Sequence, residues 1–482
     1  MICSIMSTEP DEKAQSKEGN YLFWTPDGYF DGSRESSQLL AIVKGMETFE
    51  IDQFANQLNR PDILLERLGS QDLELKEHFY QQYRKRLRKA GLTEEQLSND
   101  LHVPEVKLSN YKQNAKFVDL EFQLSDNKFN LKSYNIYVNG VPLFGAYGKT
   151  LNTHELQVKE HVELTYGKNK IEMGCTNEAG VESYRPVIYQ DFNQPSQGDL
   201  YFLGFGVSEY QNKKLNLQYA HKDALDLGHL FEQKKGAFHQ THVKTFINDQ
   251  VTVENIRQAK AFLQNAKADD TFVLFIAGHG VHDQDKEATY YYITHETDLN
   301  NLKDTAANFE LIEELLQGIA PRTKLFLMDT CESGEADETI EEQAFQLATH
   351  RGLRPRTTRS VQLIAENTPK PKSRRFYLLD QNRYIYNDVM RRSGAIVFSS
   401  SRGGEFSYEP STYNEKENGF FTHAILDSLR TPEADTQKDN LLTKEEMRNY
   451  VTQSVSTRSQ GMQNPTIDRY NPNLELMFRL NE

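Results

Sequence analysis

Cysteine is nearly absent: Cys3, Cys175 and Cys331 are the only three in 482 residues. Thiols so few and so far apart cannot build a disulfide framework, which points to a reducing, cytoplasmic home. No apolar run approaches the roughly 20 residues needed to span a bilayer, so a membrane helix is not expected. The opening stretch MICSIMSTEPDEKAQSKEGN is too short and too polar to read as a signal peptide. Basic residues are outnumbered, 55 against 70 acids, for a formal charge of −15. That balance argues against nucleic acid or an anionic membrane surface as the main partner. No segment repeats with the period of 40 to 45 residues that a propeller would need. What remains is a soluble, acidic protein, too long for one ordinary core.

Composition divides the chain into four stretches. Residues 1–18 read as a disordered lead, poor in apolar residues. Residues 19–101 hold a short aromatic strand, YLFWTPDGYFDGS, and then a mostly helical segment with apolar residues at three- and four-residue spacing. Thr93 followed by Gln96 makes a candidate capping box there. Residues 102–193 change to short alternating runs joined by Asn-Gly and Gly-Lys-Asn turns, the pattern of an Ig-like β-sandwich of about seven strands. Cys175 falls in one such strand and reads as core. In 197–482, apolar strands such as LYFLGFGV, TFVLFIAG, TKLFLMD and GAIVFSSS alternate with amphipathic helical segments. That alternation predicts an α/β domain: a mainly parallel sheet with helices on both faces and ligands gathered at the carboxyl ends of its strands.

Two of those strand ends carry chemistry. TFVLFIAGHG delivers His279 between two glycines, whose missing side chains let backbone approach a ligand. KLFLMDTCESGE delivers Cys331 just after Asp329, a carboxylate that needs a partner or ligand if it ends a buried strand. A histidine beside a cysteine suits general acid/base work on a thiolate nucleophile. Metal readings are weaker. The HDQDKE stretch after His279 is a candidate calcium loop but lacks the twelve-residue pattern. A zinc site on His279 and His282 lacks further ligands at suitable spacing, so no metal is expected.

The motifs FIAGHG, FLMDTCESGE and ENGFFTHAIL occur in this order, after an opening YFLGFGVSEYQNKKLNLQYAHKDALDL. Together they make the region from about 200 to 480 resemble the catalytic domain of the caspase and metacaspase group of cysteine peptidases. The 52 residues from His279 to Cys331 match the caspase spacing of about 50. The stretches upstream also resemble linkers that precede caspase-like domains in large bacterial proteins. The resemblance implies Cys331 as nucleophile and His279 as its partner. It implies the backbone N–H groups of Gly280 and Cys331 as oxyanion donors. Departures from caspases concern specificity. Asp329-Thr330-Cys331 and Asp223 resemble metacaspases, and Phe406-Ser407-Tyr408-Glu409 puts an acid where caspases carry the arginine that reads acidic substrates. Carboxylates at Asp223, Asp329 and Glu409 would select arginine or lysine before the cut. A protein substrate with such a residue is therefore the expected partner, with an activating protein as a further candidate. The rival reading is a catalytically silent caspase-like scaffold for protein–protein interaction. A glutaminase-like thiol amidase is disfavoured because Asp329 stands where it would want glycine.

Beyond the cysteine, residues 332–342 carry six acids, and 351–375 carry eight basic residues against one acid. Two prolines besides Pro355 and little pattern make the basic stretch read as an exposed, mobile loop. It occupies the place of the linker that caspases cut between their subunits. Arg354, Arg356, Arg359, Arg374 and Arg375 are thus candidate self-cleavage positions, favoured by the high effective concentration of a tethered site.

Overall fold

The computed structural model describes the chain apart from residues 1–2, 8–20, 33–40, 98–101, 195–196, 235–237, 284–288, 331–346, 349–350, 357–392, 402–404, 469–476 and 481–482. Cys331, Arg359, Arg374 and Arg375 lie outside the described residues, as does most of the HDQDKE stretch. Two compact units are present, Met1–Asn193 and Gln194–Glu482.

The first unit opens with more strand than its composition suggests. Ser4–Ser7, inside the expected disordered lead, pairs antiparallel with Tyr21–Trp24. Ala41–Lys44 and Glu47–Glu50 form a second hairpin. Pairing across the chain supplies here what local composition does not. The helical reading holds farther on, in Pro61–Arg67 and Leu73–Lys89. Proline stands in the first turn of the former, and the Asp72 carboxylate caps the latter by accepting the Leu75 N–H at 3.0 Å. The Thr93–Gln96 capping box is formed.

Two antiparallel sheets follow. Glu105–Asn114, Phe117–Ser125 and Glu155–Glu163 make one. Leu131–Val138, Val141–Pro142, Lys149–Thr153, Gly167–Asn177 and Val187–Phe192 make the other. That is eight strands rather than seven, the extra one being the two-residue return after the turn at Asn139-Gly140, both with positive φ. Alternate residues Val118, Leu120, Phe122 and Leu124 meet Ile136, Val138, Ile171 and Met173 in one core. Cys175 is buried there, and burial pushes its thiol up to about 12, leaving it inert.

Strands of the second unit include β1 (Leu200–Gly206), β2 (Thr241–Ile247), β3 (Thr271–Gly278), β4 (Gly280–His282), β5 (Thr323–Thr330), β6 (Leu353–Pro355), β7 (Ile396–Ser399), β8 (Tyr408–Pro410) and β9 (Thr466–Asp468). The main sheet runs β2-β1-β3-β5-β7-β9, parallel except for β9. Every residue of β1 and β3 is buried, so both faces of the sheet are covered. Helices α1 (Ala220–Gln233), α2 (Phe420–Ser428) and α3 (Lys444–Arg458) contribute to the same apolar core. The chain leaves β1 for β2 on one side and then returns to β3 on the other. That reversal of strand order opens a crevice at the carboxyl ends of β1 and β3.

The basic stretch departs from expectation where it is described. Leu353–Pro355 is a strand, paired antiparallel with β8, and Arg356 is wholly buried. Residues 353–356 are not an exposed loop, because three carboxylates across the chain hold Arg356, the third arginine of the stretch.

Candidate active site

β3 and β5 run side by side in register, with Gly278 opposite Thr330. His279 directly follows Gly278 at this sheet edge, and in the sequence Cys331 directly follows Thr330. Gly278 has a φ of +146°, and a Cβ there would lie 2.9 Å from the Tyr210 hydroxyl. Glycine is required at that point for the chain to turn out of the sheet beneath Tyr210. Gly280 follows directly and opens β4.

The His279 imidazole is buried and oriented. Its Nε2 lies 2.7 Å from the Leu215 carbonyl oxygen, an acceptor, so Nε2 carries the proton. The Tyr210 ring packs beside it at 5.1 Å, and the His279 N–H donates to the Tyr210 hydroxyl at 3.2 Å. Nδ1 is left with its lone pair, buried and without a hydrogen-bond partner among the described residues. Burial drives the imidazole pKa down to about 4, against the pull of the Leu215 and Arg356 main chains, with the Arg356 and Arg354 charges adding to the depression. The ring is therefore neutral at pH 7 and presents a base at Nδ1.

Asp223, Asp329 and Glu409 converge from three elements, and Arg356 lies among them. All four are buried. Arg356 Nη2 pairs with Asp223 Oδ2, Nη1 with Asp329 Oδ2 at 2.9 Å, and Nε with Glu409 Oε2 at 3.3 Å. Each acid is braced from behind. Asp223, in the first turn of α1, accepts from Asn418 Nδ2 at 3.0 Å and the Gly419 N–H at 3.1 Å. Asp329 accepts from the Ser407 and Thr422 hydroxyls, each at 2.7 Å. Glu409 accepts from the N–H groups of Gln218 at 2.9 Å and Tyr219 at 3.3 Å. Gln463 ties the scaffold together, accepting the Tyr408 N–H at 3.0 Å and donating to the Ser400 carbonyl at 2.9 Å.

Electrostatics explain why a guanidinium sits here. Burial pushes Asp223 up to about 7 and Glu409 upward, while Arg356 pulls both back. Burial also opposes the Arg356 charge, but Asp329, Asp223 and Glu409 together outweigh it and raise the arginine pKa. Three acids against one arginine make the pocket a strong cation receptor, and only the planar fork offers a nitrogen to each.

The main chain of this arginine is placed as deliberately as its side chain. β6 runs antiparallel to β8, with Arg354 opposite Glu409, and the Arg356 N–H donates to the Ser407 carbonyl at 2.9 Å. Segment 353–356 thus lies as an added strand whose last residue reaches His279. The structure brings together His279, Asp223, Asp329, Glu409 and Arg356. Sequence reasoning missed Leu215, Tyr210, Asn418, Gly419 and Thr422 as supporting groups; the ENGFFTHAIL motif marked the last three without giving them a task. No cluster of three or more metal-ligating side chains occurs among the described residues, which leave out most of the HDQDKE stretch.

A family model for the caspase domain matches residues 203–476, more than half of the chain. The protein belongs to that family of cysteine peptidases. No curated protein matches it.

Two outcomes test this geometry. A Cβ on Gly419 would collide with the Arg356 guanidinium. In a Cys331→Ala background, Gly419→Ala should expel Arg356, and mass spectrometry should find tryptic cleavage after it far faster than in the parent. Because the folded pKa of His279 is depressed, protonation from pH 6.5 down to about 4 favours the unfolded chain, so its share of stability is lost as pH falls through that window. In the same background, thermal unfolding of the parent should therefore drop between pH 6.5 and 4 more steeply than that of His279→Gln.

Proposed function

We propose that the protein is a cysteine endopeptidase that cleaves after arginine and cuts its own chain between Arg356 and Thr357. The observation that carries this reading is Arg356 itself. Its guanidinium is held by Asp223, Asp329 and Glu409 while its main chain lies against His279, the pose a substrate residue would need. In the reaction, His279 Nδ1 accepts the Cys331 thiol proton, and the thiolate attacks the Arg356 carbonyl carbon. The N–H groups of Gly280 and Cys331 stabilise the oxyanion. The bond to Thr357 breaks, and His279 gives its proton to the departing amine. Water then hydrolyses the thioester, leaving an Arg356 carboxylate and a free thiol. Arginine is preferred to lysine, since one ammonium cannot meet three separated carboxylates as the fork does. Until released, Arg356 competes with any other substrate, so the uncut chain is latent.

The complete burial of Arg356 favours one rival: a permanent ion cluster in a silent scaffold. Incubation of the purified full chain separates the two. Two fragments should appear, with a new carboxyl end at Arg356, and Cys331→Ala should stay whole. If wild type stays whole as well and never labels with an arginine-directed thiol probe, the scaffold reading stands instead.

A further inference from the structure

The docked segment presents two arginines, not one. Residues two apart on a strand share a face, so Arg354 and Arg356 both point toward the acids with Pro355 between them. Glu409 stands between the two side chains. Its Oε2 faces Arg356 Nε at 3.3 Å, and its Oε1 faces Arg354 Nε at 3.8 Å. The second guanidinium is further fixed by a bond from Nη2 to the Asn216 carbonyl. It is held less tightly than the first: the Arg354 side chain is 38% exposed, that of Arg356 is 0%. The charge count explains why a second cation is welcome. Three buried acids face the single Arg356 charge, and Arg354 brings a second positive charge beside Glu409.

We propose that this peptidase reads a second basic residue, two positions before the residue at the cut, through Glu409 and the Asn216 carbonyl. This rests on the endopeptidase reading and extends it: the preferred substrate is an extended Arg-X-Arg segment, with proline accommodated at X. The middle residue faces away from the acids and makes no ion pair. Beside Gly352, just upstream of the dibasic pair, lies an open pocket of about 550 Å³ lined by Tyr413, Phe420, Glu417 and Arg458 among others. Glu409 is on this view a shared specificity residue, and a substrate with an acid at the second position would meet like charge.

Three fluorogenic peptides test it, Leu-Arg-Pro-Arg, Leu-Ala-Pro-Arg and Leu-Glu-Pro-Arg, each with its reporter after the last residue. They are offered to the self-processed full chain and to the full-length Arg356→Ala variant. A half-exposed ion pair plus a carbonyl contact predicts kcat/KM roughly five- to tenfold higher with arginine than with alanine, and lower again with glutamate. Glu409→Gln should slow all three but narrow the ratio. Independently, Arg354→Ala in the otherwise intact chain should slow self-cleavage after Arg356 by a similar factor. Equal kcat/KM for the three peptides, or unchanged self-cleavage in Arg354→Ala, overturns the second subsite while leaving cleavage after arginine in place. Failure of both enzyme forms to cut any peptide overturns the endopeptidase reading and this one with it.

Discussion

Everything at the carboxyl edge of this sheet depends on three carboxylates that must be buried together. Asp223, Asp329 and Glu409 are each fully shielded from solvent. Like charges in a dry site repel and lose hydration, so such a group persists only with backing donors and a cation. The chain supplies both. Nine donors, one each from Ser407, Thr422, Asn418, Gly419, Gln218 and Tyr219 and three from the arginine's own fork, converge on the three carboxylates. Those groups come from the loop after β1, from α1, from the end of β5, from β8 and from the start of α2. Meeting the needs of the acids therefore fixes these elements relative to one another, and with them the rim where His279 stands.

The same arrangement links architecture to chemistry. In-register parallel pairing of β3 and β5 sets Gly278, the residue before His279, opposite Thr330. The glycine before the histidine turns the chain out under Tyr210, and the Leu215 carbonyl chooses the tautomer. Burial then keeps the ring neutral. An added strand along β8 ends beside that ring, with the Arg356 main chain against His279 and its guanidinium among the three acids.

Much of this was legible in the sequence because it is written locally. Unbroken apolar runs announce buried parallel strands, and the polar residue that ends each run announces the sheet edge: Gly278-His279 after one, Asp329 before Cys331 in another. Asp223 and Glu409 stood out by motif. Arg356 did not: within a run of eight basic residues nothing in composition separates the one that is buried from those around it. Its position is set by three partners 27 to 133 residues away, and only the fold brings them together. The supporting Leu215 carbonyl was invisible for a different reason, since a backbone oxygen has no residue type to read. At the amino-terminal end, Ser4–Ser7 became a strand through its pairing with Tyr21–Trp24, a contact that a composition-poor segment does not advertise.

The central claim is that Arg356 occupies the site that a substrate arginine would occupy. Active-site titration with an arginine-based, thiol-directed irreversible inhibitor measures this directly, comparing freshly purified uncut wild type with Arg356→Ala and mapping the adduct by mass spectrometry. The account predicts fast stoichiometric labelling of Cys331 in Arg356→Ala and labelling at least about tenfold slower in the uncut wild type, as a tethered competitor at high effective concentration requires. Equal labelling rates in the two proteins, or an adduct that persists after Cys331→Ala, would contradict it.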